Sequence, residues 1–267
     1  MKSAPQFHLR DVQAVYSGAE GRLWELLMGE QIHLGGFQSS MDLAQRTEIV
    51  PGSRGVDLCC CTGAGMRFLV RFLKVAHMTG VDATAAMVQL GRRRASDEGL
   101  ADHVSFVEGN ACATGLPSGQ VDFVWGEDAW CYVEDKAQLI AEAVRLLRPK
   151  GRVAFTDWME GASGLTDAEA SRFLMFMKFP GVFTLGEYTA LVKTNSCVVK
   201  TAQDTGRFAA CMPLYLDMLE KQLTFDALKI IGFDPVLAQS LLTEMRFIQS
   251  LAQAGKIIQG LLVAEKQ

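Results

Sequence analysis

The sequence predicts an α/β chain built on an open, doubly wound, mostly parallel sheet. Three observations predict it. Residues 55–65, Gly-Val-Asp-Leu-Cys-Cys-Cys-Thr-Gly-Ala-Gly, read as a buried strand entering a tight turn of small residues, and residues 66–75 as the helix that follows. Such a corner lets backbone approach a ligand closely and leaves free N–H groups at the helix N-terminus. An acid, Asp82, ends a second apolar strand, and the strand–helix alternation then continues to Lys150-Gly151.

The elements follow in order. Residues 1–48 read as an N-terminal helical lid: Leu23, Trp24, Leu26 and Leu27 recur on one helical face, and Gly35-Gly36 breaks the pattern. A further helix over 41–49 stops at Pro51-Gly52. Strands are expected at 54–59, 77–82, 104–108, 121–126 and 153–157, with helices at 65–73, 84–98 and 136–147 between them. Thr84 stands as the N-cap of the second helix. In the last helix, Leu139, Ile140, Ala143, Val144 and Leu147 share one face, and Arg148-Pro149-Lys150-Gly151 closes it. After Asp157 the rhythm breaks. Residues 160–187 read as helix and loop, 188–193 as helix, 198–204 as strand, 207–250 as two or three helices, and 257–265 as a closing strand. The expectation is a seven-stranded Rossmann-like core over 49–160. Residues 161–267 add cap helices, as an insertion before the last strand, and closing strands of the same domain.

Composition narrows the function classes. The chain has 267 residues, 49% hydrophobic and 21% charged, in the range of folded globular proteins. A net charge of −4 argues against a nucleic-acid surface, which needs a positive field. Arg92-Arg93-Arg94 reads as a solvated helix face. No signal peptide and no apolar run long enough to span a bilayer are visible. The seven cysteines are odd in number, three are adjacent, and none has the Cys-x-x-Cys spacing of a zinc site. Reduced thiols, a cytoplasmic location, no metal and no membrane partner are expected.

The motifs resemble those of the class I S-adenosylmethionine (SAM)-dependent methyltransferases. The matching pieces are Val56-Asp57-Leu58 with Thr62-Gly63-Ala64-Gly65, Gly80-Val81-Asp82-Ala83-Thr84 with Met87, and Glu108-Gly109-Asn110-Ala111 with Leu116-Pro117. They continue with Val121-Asp122-Phe123-Val124 through Ala129, and with 145–151 followed by Thr156-Asp157. In order, they cover about residues 50–160. Gly29 to Gly35, Arg67 to Val70 and Asp128-Ala129-Trp130 look like the sarcosine/dimethylglycine N-methyltransferases. Tyr16-Ser17 with Glu20-Gly21 looks like the phosphoethanolamine N-methyltransferases.

The resemblance implies roles residue by residue. Asp82 would accept the ribose hydroxyls of SAM, against the plainer reading of a turn acid. Gly63 and Gly65 would sit beside its methionine part, Asp57, Cys59 and Glu127 would belong to the same cofactor site, and Glu127 paired with Asp128 would also steer a cationic amine. Ala83 and Met87 would pack on adenine, and Asn110 and Ala111 would hold its edge. Cys59 and Cys61 stand where the family usually has glycine; a Cβ disfavours positive φ there. Asp128 is expected to meet a cationic amine. Tyr132 replaces the histidine that pairs with the lid tyrosine, which Tyr16 resembles, so a Tyr16–Tyr132 pair is expected to orient an amine; a phenol is a poor base at pH 7. Trp130, among Trp125 and Trp158, is a cage candidate for a cationic ammonium. His33 and Asp157 are further substrate candidates. In the cap, Arg172, Lys178, Arg207 and Arg246 are candidates to hold a carboxylate or phosphate.

The expected reaction is in-line methyl transfer to a small-molecule acceptor, with S-adenosylhomocysteine as product. An amine nitrogen needs no strong base, and no convincing histidine base stands in position, which favours nitrogen over oxygen. Oxygen or carbon of a sugar or natural product remains a rival, as does a catalytically silent SAM-binding relative. A nicotinamide-dependent oxidoreductase would need a full Gly-x-Gly-x-x-Gly turn, where this chain has Cys59, Cys61 and Ala64.

Overall fold

In the computed structural model, which describes residues 2–3 and 7–267, seven strands form one sheet. The first residues of the expected lid, 1 and 4–6, lie outside the described set. Strand β1 (Lys2–Ser3) stands apart, paired with β7 (Gly181–Val182). Three helices follow: α1 (Leu9–Ser17), α2 (Ala19–Met28) and α3 (Gly36–Thr47). The core then alternates as β2 (Arg54–Leu58), α4 (Ala64–Leu73), β3 (His77–Asp82), α5 (Ala85–Asp97), β4 (Val104–Glu108), β5 (Val121–Glu127), α6 (Lys136–Leu146) and β6 (Leu147–Glu160). Helices α7 (Asp167–Met177) and α8 (Leu185–Thr194) lead to β8 (Cys197–Asp204). Helices α9 (Arg207–Glu220), α10 (Thr224–Ile230) and α11 (Pro235–Gln253) precede β9 (Ile257–Lys266).

The sheet order is β4-β3-β2-β5-β6-β9-β8. Strands β2 to β6 pair in parallel, and β9 runs antiparallel between β6 and β8. The chain steps outward from β2 through β3 to β4, then returns to lay β5 on the other side of β2. That reversal opens a crevice at the carboxyl ends of β2 and β5, the place where open α/β sheets bind ligands. The apolar sequence of β2 explains its central place: every residue after Arg54 is buried.

Apolar side chains cover both faces of the sheet. Leu139, Ile140, Ala143 and Val144 pack α6 onto one face, and Met66, Leu69 and Val70 pack α4 onto the other. A third cluster, including Trp158, Phe173, Phe179 and Phe208, joins the cap helices to α2. Gly126 makes room for Trp130: a Cβ there would lie 2.3 Å from the indole Nε1.

The structure differs from the sequence reading at three places. The closing turn at 148–151 is a bulge inside a strand that already begins at Leu147. Val121 pairs with Leu147, Phe123 with Arg152, and Lys150 takes φ 66° between them. The cap is two insertions, one between β6 and α8 and one between β8 and β9. At the start of α5 the Thr84 side chain makes no cap bond; Asp82 Oδ1 instead accepts the Thr84 N–H at 2.8 Å. The Thr84 hydroxyl is drawn to the same carboxylate and is not turned onto the first helical N–H groups.

One buried carboxylate staples α6 to the loop before β5. Glu142 accepts from Thr114 N (2.8 Å), Thr114 Oγ (2.5 Å) and the Arg145 guanidinium (2.7 Å twice). Arg145, then Thr114, outweighs burial and holds its carboxyl down at about 2. A depressed carboxyl adds stability that is present above its unfolded pKa and lost as pH falls through its folded one. Unfolding free energy should therefore fall by about 1–3 kcal/mol between roughly pH 4.5 and pH 2 through this group. Urea titrations across that window should show a flatter acid limb in Glu142→Gln than in the parent chain.

Candidate active site

A cavity of about 540 Å³ opens at the carboxyl ends of β2, β3, β4 and β5, roofed by α1 and the segment at 30–32. Tyr16, Asp57, Cys59, Asp82, Ala83, Met87, Asn110, Ala111, Glu127, Asp128 and Tyr132 line it together. Gly63, His33, Trp130 and Asp157 do not.

The β3 end is fixed through Asp82. Its Oδ1 accepts Thr84 N and its Oδ2 accepts Cys61 N, both at 2.8 Å. With the Thr84 hydroxyl as a third donor, the two oxygens still have acceptor capacity for a ligand hydroxyl. Burial pushes the carboxyl above its usual range despite these donors. Ala83 is tied to the N-terminal helices by its carbonyl, which accepts from Gln13 Nε2 at 2.6 Å. Across the crevice, Asn110 Oδ1 accepts Cys112 N at 2.8 Å and shapes the turn that presents Ala111.

The β2 and β5 ends bring two further acids together. Burial, then the neighbouring Glu127 and Asp82, push the Asp57 carboxyl well above its usual range. Glu127 is held from behind: Ser40 Oγ donates to Oε1 at 2.7 Å and Trp125 Nε1 to Oε2 at 3.0 Å. His33 sits in this rear shell. Its Nε2 lies 3.1 Å from Ser40 Oγ and 3.4 Å from Glu127 Oε1, with the ring only 1% exposed. A ring buried there acts on a ligand only through Glu127. Gly65 leaves a cradle in front: a Cβ would meet Glu127 Oε2 at 2.8 Å and Trp125 Nε1 at 3.4 Å. Gly63 instead caps α4 at φ 71°, against Met66 and Phe106, so it shapes the turn and faces the core.

The cysteines adopt the glycine-like backbone their positions demand. Cys59 has φ 64° and Cys61 φ 49°, in the left-handed region where a Cβ is strained. Burial pushes the thiols of Cys59, Cys60 and Cys61 up, so they stay protonated and poor as nucleophiles.

Tyr16 and Tyr132 meet as expected, edge to face at 5.5 Å and 80°. Burial raises both phenols well above 10. The other three expectations on this loop are corrected. Trp130 is fully buried, stacks on Phe155 at 4.3 Å and donates Nε1–H to Leu58 O at 3.1 Å. The turn at 130–132 points its first side chain into the core and its third, Tyr132, at the cavity. Asp157 lies beneath the loop. It accepts Cys131 N (2.9 Å) and Tyr188 OH (2.5 Å), and burial raises it to about 6. Asp128 has its carboxylate turned away from an acceptor, taking Leu34 N at 2.8 Å and Gln259 Nε2 at 2.8 and 3.1 Å. Its φ of 50° places it in this turn.

Ser40, Gln259, Tyr188 and Lys136 were not legible as site residues. Lys136 Nζ binds the Cys131 carbonyl at 3.2 Å and that of Val133, pinning the loop that carries Tyr132. The one available signal was Gln259, a lone amide in the apolar strand β9.

Comparison with known proteins finds relatives for part of the chain and for its fold. Residues 56–155 match the family described as "Methyltransferase domain". A probable tocopherol O-methyltransferase of Oryza sativa subsp. japonica is 28% identical over 168 residues, 55% of this chain and 46% of that protein. The glycine/sarcosine/dimethylglycine N-methyltransferase of Actinopolyspora halophila is 27% identical over 147 residues, 51% of this chain and 26% of that one. The chain thus spans less than half the length of these curated relatives. The fold is shared with phosphoethanolamine N-methyltransferase 2 of Haemonchus contortus, solved with phosphomonomethylethanolamine and S-adenosylhomocysteine. The TM-score is 0.85 at 18% identity, over 98% of this chain and 60% of that one.

The Asp128 clamp gives a direct test. Asp128→Ala leaves the Leu34 N–H buried without an acceptor and the Gln259 amide with only its longer bonds to Leu34 O (3.2 Å) and Ser39 Oγ (3.5 Å), which costs about 1–3 kcal/mol. Urea unfolding should show that loss, and amide exchange at Leu34 should accelerate at least tenfold. Asp128→Asn, which keeps one acceptor oxygen, should lose less on both readouts.

Proposed function

Taking residues 56–155 as a methyltransferase domain, we propose that the chain is a SAM-dependent methyltransferase acting on the nitrogen of a small amine. The observation that carries the cofactor assignment is Asp82, fixed by two backbone donors at the end of β3 and facing the cavity. The residues fit an adenosyl amino acid. Asp82 would accept the ribose hydroxyls, Ala83, Met87, Asn110 and Ala111 would hold the adenine, and Gly65, Glu127 and Asp57 would receive the amino-acid arm. SAM, when bound, supplies a methyl group on an electrophilic sulfonium.

The chain's own part is binding, alignment and exclusion of water. The N-terminal helices act as a lid, tied to the core through Gln13–Ala83 and Leu34–Asp128. Tyr16 and Tyr132 form an aromatic wall where a cationic centre is welcome. No histidine lines the cavity among the described residues, and both phenols stay neutral at pH 7. A neutral amine attacks with its own lone pair and needs no base, which supports nitrogen as the acceptor atom.

Asp82→Ala should weaken SAM binding about 5- to 150-fold, the equivalent of roughly 1–3 kcal/mol of charge-assisted hydrogen bonding. Calorimetric titration of the parent and variant checks this, with Asp82→Asn expected between them; unchanged affinity would remove Asp82 from the cofactor site. Gly65→Ala should also weaken SAM, at least tenfold, by filling the cradle and displacing Glu127. Tight SAM binding without transfer to any amine would replace the enzyme with a silent binder.

A further inference from the structure

We propose that the methyl acceptor carries no carboxylate or phosphate, and is an amine with an uncharged, largely apolar body. The inference rests on the reading of this cavity as a methyl-transfer site, and deepens it by naming the acceptor class.

The first observation is charge. Among the described residues, no lysine, arginine or histidine lines the cavity. Its carboxylates are Asp57, Asp82 and Glu127 on the side read as the cofactor site, Glu134 and Asp135 next to Tyr132 in the chain, and Glu30, which pairs with Arg67. An anionic acceptor group would find no cation in the lining to pair with, and the acids not given to the cofactor, Glu134 and Asp135, would repel it. An ammonium or sulfonium would be attracted.

The second observation concerns the cap cations that an anionic acceptor would need. Each is already neutralised by a carboxylate of the chain. Arg172 forks onto Glu244 at 3.0 Å, Arg207 reaches Asp42 at 2.8 Å, Lys178 pairs with Glu20, and Arg246 pairs with Glu220. The cations nearer the crevice are also engaged. Arg67 and Arg94 hold the 62 turn and the acids Glu30, Glu98 and Glu25, while Lys136 lies beneath the Tyr132 loop. None of these cations lines the cavity, and each is already engaged within the chain.

The third observation is the wall itself. Around Tyr16 and Tyr132 it is made of Leu9, Val12, Ile32 and Val133. Those side chains suit an alkyl or aryl body and offer nothing to a carboxylate. This sets the chain apart from relatives named for glycine, sarcosine and phosphoethanolamine, whose substrates carry an anion beside the amine.

The test compares matched pairs on the intact chain saturated with S-adenosylhomocysteine. The pairs are 2-phenylethylamine with phenylalanine, sarcosine methylamide with sarcosine, and ethanolamine with phosphoethanolamine. Binding of each is measured by calorimetry. The uncharged-body member should bind at least tenfold tighter, with 2-phenylethylamine the tightest of all. Equal or tighter binding of any anionic member overturns the inference. So does the absence of binding by every uncharged-body member at millimolar concentration. The preceding titration with S-adenosylhomocysteine separates the two failures: if that ligand does not bind, the methyltransferase reading fails first.

Discussion

Three segments far apart in sequence meet at one buried carboxylate, and the site depends on that meeting. Asp128 follows β5 at φ 50°, accepts the Leu34 N–H from the N-terminal region, and accepts the Gln259 amide from the last strand. A positive φ at an aspartate is tolerated because the surrounding bonds over-determine it. The turn that this conformation makes sends alternate side chains in opposite directions. Glu127 faces the crevice, Asp128 faces the clamp, Trp130 enters the core and Tyr132 returns to the cavity. Lys136 and Asp157 secure the same turn from below. The roof and floor of the crevice are thus one mechanical unit, although no single element contains it.

The crevice gathers carboxylates, and among the described residues no cation stands in its lining. Burial raises Asp57 and Asp82, and Asp57 is raised further by Glu127. Such an arrangement favours a cationic ligand over an anionic one. Backbone strain is concentrated at the same place. Cys59 and Cys61 hold left-handed conformations at the two ends of a turn whose amides reach Val81 O and Asp82. Their neutral, buried thiols fill space beside the ligand without offering a nucleophile.

Much of this was legible in the sequence, and the division follows range. The alternation of apolar strands and amphipathic helices is local, so the core order, Asp82 at a strand end and the small-residue turn could be read directly. The pairing of Tyr16 with Tyr132 was legible only through family resemblance. What escaped depends on contacts across the sheet. Trp130 reads as an exposed loop aromatic until Gly126 and Phe155 are seen to make room for it. Asp157 reads as a strand-end acid until Tyr188 is placed beside it. The 148–151 turn contains Pro and Gly, yet β5 and β6 pair on both sides of it and convert it into a bulge. The pairing of each cap cation is a tertiary fact that no spacing announces.

The most direct measurement is a crystal structure of the intact chain with S-adenosylhomocysteine. The account predicts ribose hydroxyls on the Asp82 carboxylate, adenine between Ala83, Met87 and Ala111, and the amino-acid arm passing Gly65 toward Glu127. Density for the ligand elsewhere, or a crevice that stays free of it at saturating concentration, would contradict the assignment of this site.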